Sequence, residues 1–419
     1  MIKKLLYHAP LYYIVLMLNL TRGGAHINIM GIYISEILLI STVIIYFYQK
    51  LKRYKRNISV IRKNSIEISV CLLYVYGILL VFNSYIYSEN IVIIARNSAF
   101  FWYCPLMICG YMASKYYTPE ITKKWIVHTL IIAIILLIYH PFRENFADGE
   151  DSIFGWYSSF YIVLLTSSFV ILISSINFFY SSISMITVAA TLLYLQSRSS
   201  FIIIICFIIM IFIFYKNQVS YKKELLWISI ISIPVIIVIV DLLGNSRTNI
   251  LNGGIKKLIS SMIPGLINDN ISLTGGVDDR IQWWKSSLSL INFQHQLDNL
   301  LFGIGLDQIL IDTGVGHFFI IRFPHNSYIT ILVLYGIVGL LLSAFVFINY
   351  FKIILFILKK TKVNIINNFA FFYGVAMMIA SLSGVVLETP YYAAPFWILY
   401  GVVYKLYSQY SSSKHDTLD

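Results

Sequence analysis

Charge is what this sequence has least of. Only 12% of its 419 residues are Asp, Glu, Lys or Arg, about half the share of a soluble domain. A water-soluble fold of this length would expose large apolar areas, so a cytosolic enzyme and a disordered chain are both excluded. Cysteine is also scarce. Cys71, Cys104, Cys109 and Cys206 all fall within apolar runs, without CxxC or metal-ligand spacing, and read as small core residues. Strict apolar–polar alternation is rare, which excludes an outer-membrane β-barrel. There is no internal repeat, and the only low-complexity tract is the short Ser411–Ser413 tail. Walker-type phosphate loops, HExxH and GxSxG are absent, and Gly303-Ile-Gly305 is too short for a dinucleotide fingerprint.

What fills the chain instead is long apolar runs. Hydrophobic residues make up 58%, which points to an all-α polytopic membrane bundle. About twelve runs reach or approach bilayer length, at 7–21, 28–48, 66–87, 91–113, 125–141, 153–174, 179–196, 199–215, 225–243, 326–350, 364–386 and 392–408. The first follows Met1-Ile-Lys-Lys but lacks a small-x-small cleavage site, so it reads as a retained span. Between the second and third runs lie Lys50, Lys52, Arg53, Lys55, Arg56, Arg62 and Lys63. The positive-inside rule makes that segment cytoplasmic. Alternating from there, the inside segments together with Lys405 hold 21 of the 31 basic residues, and the short outside loops hold Arg22 and Arg143, with Arg198 at the outer span ends. The net charge of +12 is therefore a topology and lipid-surface signal, not a nucleic-acid footprint. The expected organisation is helices one to nine over 1–243, a long periplasmic loop with amphipathic helices over 244–325, helices ten to twelve over 326–408, and a cytoplasmic tail over 409–419. A loop of that length carries structure or function of its own.

Ionisable residues inside spans are costly and need a reason. Glu36, Arg96, Arg198, Asp241 and Glu388 all fall in the outer half or at the outer end of their spans. They read either as separate snorkelling or paired residues, or as a polar cavity open to the outer face and roofed by the long loop. The loop and its edges supply arginines and a histidine. Arginine's fixed fork suits phosphate oxygens, and histidine can take a proton near neutral pH. Together they suit a phosphorylated substrate whose reaction moves one proton. His295 and His317 read as ordinary loop residues. His8, His26, His128, His140 and His415 have no charged neighbourhood in the sequence.

Four pieces then fall in order: Arg280-Ile-Gln-Trp-Trp284, Leu301-Phe-Gly-Ile-Gly305, His325-Asn-Ser-Tyr328 and Gly336-Ile-Val-Gly-Leu340. Their order and spacing over Asp279–Phe345 resemble the core of the O-antigen polymerase and ligase superfamily, and Ser197-Arg198-Ser199 resembles that family's arginine between two central spans. The resemblance implies a bacterial inner-membrane, GT-C-like glycosyltransferase working at the periplasmic face on undecaprenyl-diphosphate-linked glycans, without nucleotide sugar, metal or other cofactor. It implies that Arg198 and Arg280 hold the lipid diphosphate and that His325 activates the acceptor. Arg322, three residues before His325, is added here as a weaker third phosphate ligand. Asn326, Trp284 and Tyr328 are supporting candidates. The implied partners are the lipid-linked oligosaccharide, membrane lipids, a chain-length regulator and a flippase, with no nucleic acid.

Each residue also has a bland reading. Pro324 biases the preceding residue away from helix, so helix ten is expected to start at the motif, and His325 could be a helix-end residue bonded to backbone. Trp283 and Trp284, with Lys285, are expected to start an amphipathic helix, and anchoring or packing is favoured for at least one. Gly336 and Gly339 read as a close-packing pair. Within the family, the absence of a long segment after the last span counts against a protein oligosaccharyltransferase. Abundant isoleucine with little alanine tilts the reading to a polymerase over a ligase. A lipid-linked-sugar transporter is the alternative from another class, but no halves repeat and the charges lie toward one face.

Overall fold

The computed structural model describes residues 9–20, 28–29, 32–33, 36–41, 44, 65–87, 91–139, 161–174, 178–195, 198–215, 277–291, 297–308, 310, 323–360 and 364–412. Described helices are α1 (Ala9–Leu20), α2 (Ser65–Tyr87), α3 (Ile91–Asn97), α4 (Ala99–Trp102), α5 (Leu106–Ala113), α6 (Pro119–Tyr139), α7 (Tyr161–Ser174), α8 (Phe178–Leu195), α9 (Arg198–Phe214), α10 (Val277–Ser289), α11 (Leu297–Phe302), α12 (Ser327–Lys360), α13 (Ile365–Ser381) and α14 (Pro390–Ser412). A short 3₁₀ turn covers Ser114–Tyr116, and β1 (Asn28–Ile29) pairs antiparallel with β2 (Ile32–Tyr33). Among the described residues the fold is otherwise helical. Residues 66–87 of α2, and α12, are long and apolar enough to cross a membrane. The run expected at 225–243, much of the loop expected at 244–325, and the tail from 413 lie outside the described residues.

Three expectations need correction. The run at 28–48 opens as the β1–β2 pair rather than as helix. Gly23 and Gly24 precede it and Gly31 lies between its strands in the sequence, and glycine weakens helix by roughly 1 kcal/mol per residue. The run at 91–113 is three short helices, not one. Pro105 has no N–H to offer Phe101, and the chain closes instead with i→i−3 bonds, Cys104 N to Phe101 O and Leu106 N to Tyr103 O. The long run at 326–350 continues as helix to Lys360 but breaks at Gly336, which has φ 66° and ψ −173°. Gly336 is thus a helix break as well as a point of close packing, where a Cβ would stand 2.3 Å from Leu301 O.

The core sits where α5, α12, α13 and α14 meet. Phe100 stacks near Phe347 and Phe396 with Trp397 tilted beside it, and Tyr350 packs on Phe396 and Tyr400. The α5–α14 crossing brings backbones together. A Cβ on Gly110 would stand 1.9 Å from the Ile398 carbonyl, and one on Gly401 1.9 Å from that of Met107. Where lipid replaces water, such close approach of small residues drives helix association. The two buried indoles find backbone partners: Trp397 Nε1 donates to Phe100 O and Trp125 Nε1 to Leu11 O, each at 2.8 Å.

Candidate functional site

The site begins with a helix start. Asn326 Oδ1 accepts from the backbone N–H of Tyr328 at 3.0 Å and of Ile329 at 3.2 Å, the N-cap arrangement that satisfies the first free amides of α12. His325 immediately precedes that cap and has φ 51°, the one positive-φ non-glycine among the described residues. Left-handed backbone costs a histidine roughly 1–2 kcal/mol, so its surroundings must hold it. They do so from both sides. Trp284 Nε1 donates to Pro324 O at 2.8 Å, and Asn326 and Ser327 are fixed on the other side. The Trp283 ring lies 5.5 Å from the imidazole, tilted by 34°.

Ser327 is a junction. Its hydroxyl donates to Glu388 Oε2 at 2.5 Å, with Gly384 O also 3.1 Å away, and accepts from the N–H groups of Val386 at 3.0 Å and Leu387 at 3.2 Å. Glu388 is buried, and burial pushes its carboxyl up to about 7 against the opposing pull of the Ser327 hydrogen bond. The start of α12 is thereby tied to the short connection between α13 and α14.

The same connection holds an arginine. Arg280 Nη1 donates to Ser383 O at 3.2 Å. Burial lowers the Arg280 pKa, partly opposed by Tyr161. Arg280 in turn acts on His325, whose pKa falls to about 4, first through burial and second through the Arg280 charge. An imidazole held neutral beside a guanidinium is the electrostatic result.

The remaining sequence candidates divide. Arg198 is the first residue of α9, and its neighbour Ser199 shares a short hydroxyl–hydroxyl contact with Ser383. The α9 start therefore reaches the residue whose carbonyl receives Arg280. Arg322 lies outside the described residues. Tyr328 reaches across to α13, donating to Met378 O at 3.0 Å; it pins one helix to another. Trp283 and Trp284 lie in the middle of α10, which begins at Val277 rather than at the tryptophans, because the polar residues ahead of them are helix-compatible. Among the described residues, no group of three or more His, Cys, Asp or Glu side chains clusters as metal ligands do.

Sequence reasoning missed Ser199, Ser327, Ser383 and the junction role of Glu388. Glu388 carried a signal, a carboxylate at a helix end, but nothing in one dimension paired it with Ser327. The glycine motifs also acquire a physical reason. The Leu301–Gly305 turn docks into the α12 break: Ile304 N donates to Val333 O at 2.9 Å, and a Cβ on Gly336 would stand 2.3 Å from Leu301 O. Past the turn, Leu306 N donates to Ser84 Oγ at 2.8 Å, and Asn97 Nδ2 donates to Leu306 O at 2.7 Å. The carbonyls freed by the helix break are re-satisfied, with Tyr76 donating to Tyr335 O at 2.6 Å, as irregular backbone at membrane depth requires.

Residues 183–344 match the Wzy_C family model, described as O-antigen ligase. That span covers Arg198, Arg280, His325 and the Gly336 break. Over that span the chain is similar to the O-antigen ligase family. A comparison with curated proteins finds no match.

Proposed function

We propose that the protein is an inner-membrane surface-polysaccharide polymerase. It transfers an undecaprenyl-diphosphate-linked glycan onto the next lipid-linked repeat unit at the periplasmic face, with residues 244–325 on that side and both termini cytoplasmic. The observation that carries this reading is His325, held in left-handed backbone and kept neutral beside Arg280. The acceptor hydroxyl attacks the anomeric carbon, its proton passes to His325, and undecaprenyl diphosphate departs. One displacement inverts the anomeric centre. Negative charge grows on the leaving phosphate, where Arg280, Arg198 and Arg322 stabilise it most strongly with water excluded. A free-state pKa of about 4 makes His325 a weak base, but the incoming diphosphate offsets the Arg280 field and raises it toward a working value. Asn326, Trp284 and Tyr328 position the α12 start. The reaction needs no metal or other cofactor, so turnover persists in EDTA. A chain-length regulator and a flippase are the protein partners of this reading, and membrane lipids surround it.

The family description favours a second reading, an O-antigen ligase that moves the finished glycan to lipid A-core. Donor chemistry is common to both. Reconstitution with defined undecaprenyl-diphosphate glycans separates them. Lengthening of the lipid-linked glycan is the expected result. Transfer to lipid A-core gives the ligase, and movement across the bilayer without a new bond removes glycosyl transfer altogether.

A further inference from the structure

Arg198, Arg280 and His325 stand on or beside the starts of three different helices, far apart in sequence. Opposed helix starts need a common support if their side chains are to meet one substrate group. The segment joining α13 to α14 is placed to give it. Ser383 O receives Arg280 from α10, Ser383 Oγ meets Ser199 Oγ at the start of α9, and Gly384 O, Val386 N, Leu387 N and Glu388 all bond Ser327 at the start of α12. The segment is itself held in shape by Leu382 N to Ile379 O and Ser383 N to Ala380 O, both at 3.1 Å. It lies beyond residue 344, where the family match ends.

We propose that Ser383 is a positioning residue for the lipid-diphosphate site, its carbonyl orienting the Arg280 guanidinium while its hydroxyl fixes the α9 start that bears Arg198. The inference rests on the proposed diphosphate role of those two arginines. Ser383 touches no substrate; it acts through the arginines. The two halves of its contact are chemically separable. The carbonyl survives any side-chain change, so Ser383→Ala removes only the hydroxyl link to α9. Threonine keeps that hydroxyl. Because the link joins two hydroxyls, Ser199→Ala removes the same contact from the other end.

The test is a double-mutant cycle on the full-length protein in nanodiscs, reading affinity for undecaprenyl diphosphate itself and, separately, KM and kcat for glycan transfer. Losing one hydrogen bond should weaken binding of undecaprenyl diphosphate about 3- to 10-fold. Ser383→Ala and Ser199→Ala should each show that loss, and the double variant no more than the larger single loss. Ser383→Thr should retain affinity, and KM for the acceptor and the unfolding temperature should not move. Additive losses, or a Ser383→Ala variant that binds as the parent does, would overturn the inference while leaving the diphosphate reading intact. A parent protein without affinity for undecaprenyl diphosphate overturns both.

Discussion

On the N-terminal side of Gly336, α12 is fixed by polar groups; on its C-terminal side, mainly by apolar packing. Asn326 caps the first part, Ser327 joins it to Glu388, Tyr328 crosses to Met378 and Tyr335 reaches back to Asn97 O. The second part buries Val346, Phe347, Tyr350, Ile353 and Ile357 and exposes Leu341, Phe345 and Ile348. It ends in Lys359 and Lys360, as a plain span ends at a basic membrane surface. Both parts are equally hydrophobic to the eye. The difference sets the candidate site apart: it lies where the backbone departs from regular helix and where polar groups are gathered to hold it there. Apolar content carries no such information.

The largest expected effect sets the two parts against each other. Loss of a general base costs roughly 10²–10⁴ in rate. His325→Gln and His325→Asn should both abolish glycan transfer with fold and donor binding retained. Asparagine tolerates left-handed backbone better than most residues, so His325→Asn should fold at least as well as the parent. Leu341→Ala, at a side chain 63% exposed, should leave turnover within about twofold, since surface changes stay near 0.5 kcal/mol. Turnover of purified variants decides it. An active Gln variant would remove His325 from the proton transfer and leave it a hydrogen-bonded helix end.

Next in size is the break itself. At φ 66° and ψ −173°, Gly336 is in a region open essentially to glycine, and an added Cβ would meet Leu301 O at 2.3 Å and Gly303 N at 2.5 Å. Gly336→Ala should therefore cost at least about 1–3 kcal/mol from backbone strain alone and undock the Leu301–Gly305 turn. In a regular helix, the same exchange would stabilise by roughly 1 kcal/mol. Protease sensitivity of the 297–310 region, compared with that near Lys360, reads the difference. Equal protection in parent and variant would mean that the turn is held by Ser84 and Asn97 alone.

That break also marks what the sequence could and could not show. Helix positions over 65–87, 178–195, 198–214 and 390–412 follow from hydropathy, because apolar length is a local property. Gly303, Gly305 and Gly336 stood out as a motif, yet the reason for Gly303 and Gly336 is a backbone contact between a loop and a helix about 30 residues later, and that for Gly305 is a φ of 103°, neither of which periodicity encodes. His325, Arg280 and Trp284 stood out by resemblance and stand together in space. Ser383 did not stand out, because a serine in a Ser-Leu-Ser-Gly string has no chemistry until Arg280 and Ser199 are brought to it.

A smaller effect lies in pH. As the proposed base, His325 would work only when neutral, so activity should fall as pH drops through its pKa. In the free protein that pKa is about 4, and kcat/KM should hold its plateau down to about that value. A bound diphosphate opposes the Arg280 charge, so the acid limb of kcat should sit at higher pH than that of kcat/KM. Initial rates at limiting and saturating donor give both limbs. Coincident limbs would show that donor charge does not reach the imidazole.

The smallest expected effect concerns Glu388, the partner that holds the polar part of α12 in place. Its carboxyl is raised to about 7 in the fold, by burial first, from an ordinary value near 4.5. A raised carboxyl pKa means that the fold prefers the protonated form. Relative to the unfolded chain, this group is least costly below about pH 4.5. Its cost grows as pH rises through 4.5 to 7 and is constant above that. Glu388→Gln keeps an acceptor for the Ser327 hydroxyl and cannot ionise. Its unfolding temperature should exceed that of the parent by a few degrees at pH 8 and match it at pH 4.5. The Leu341→Ala control should show no such pH-dependent difference. A Gln variant less stable than the parent at pH 8 would mean that the carboxylate is stabilised in the fold, and that Ser327 is held by an ion rather than by a neutral acid.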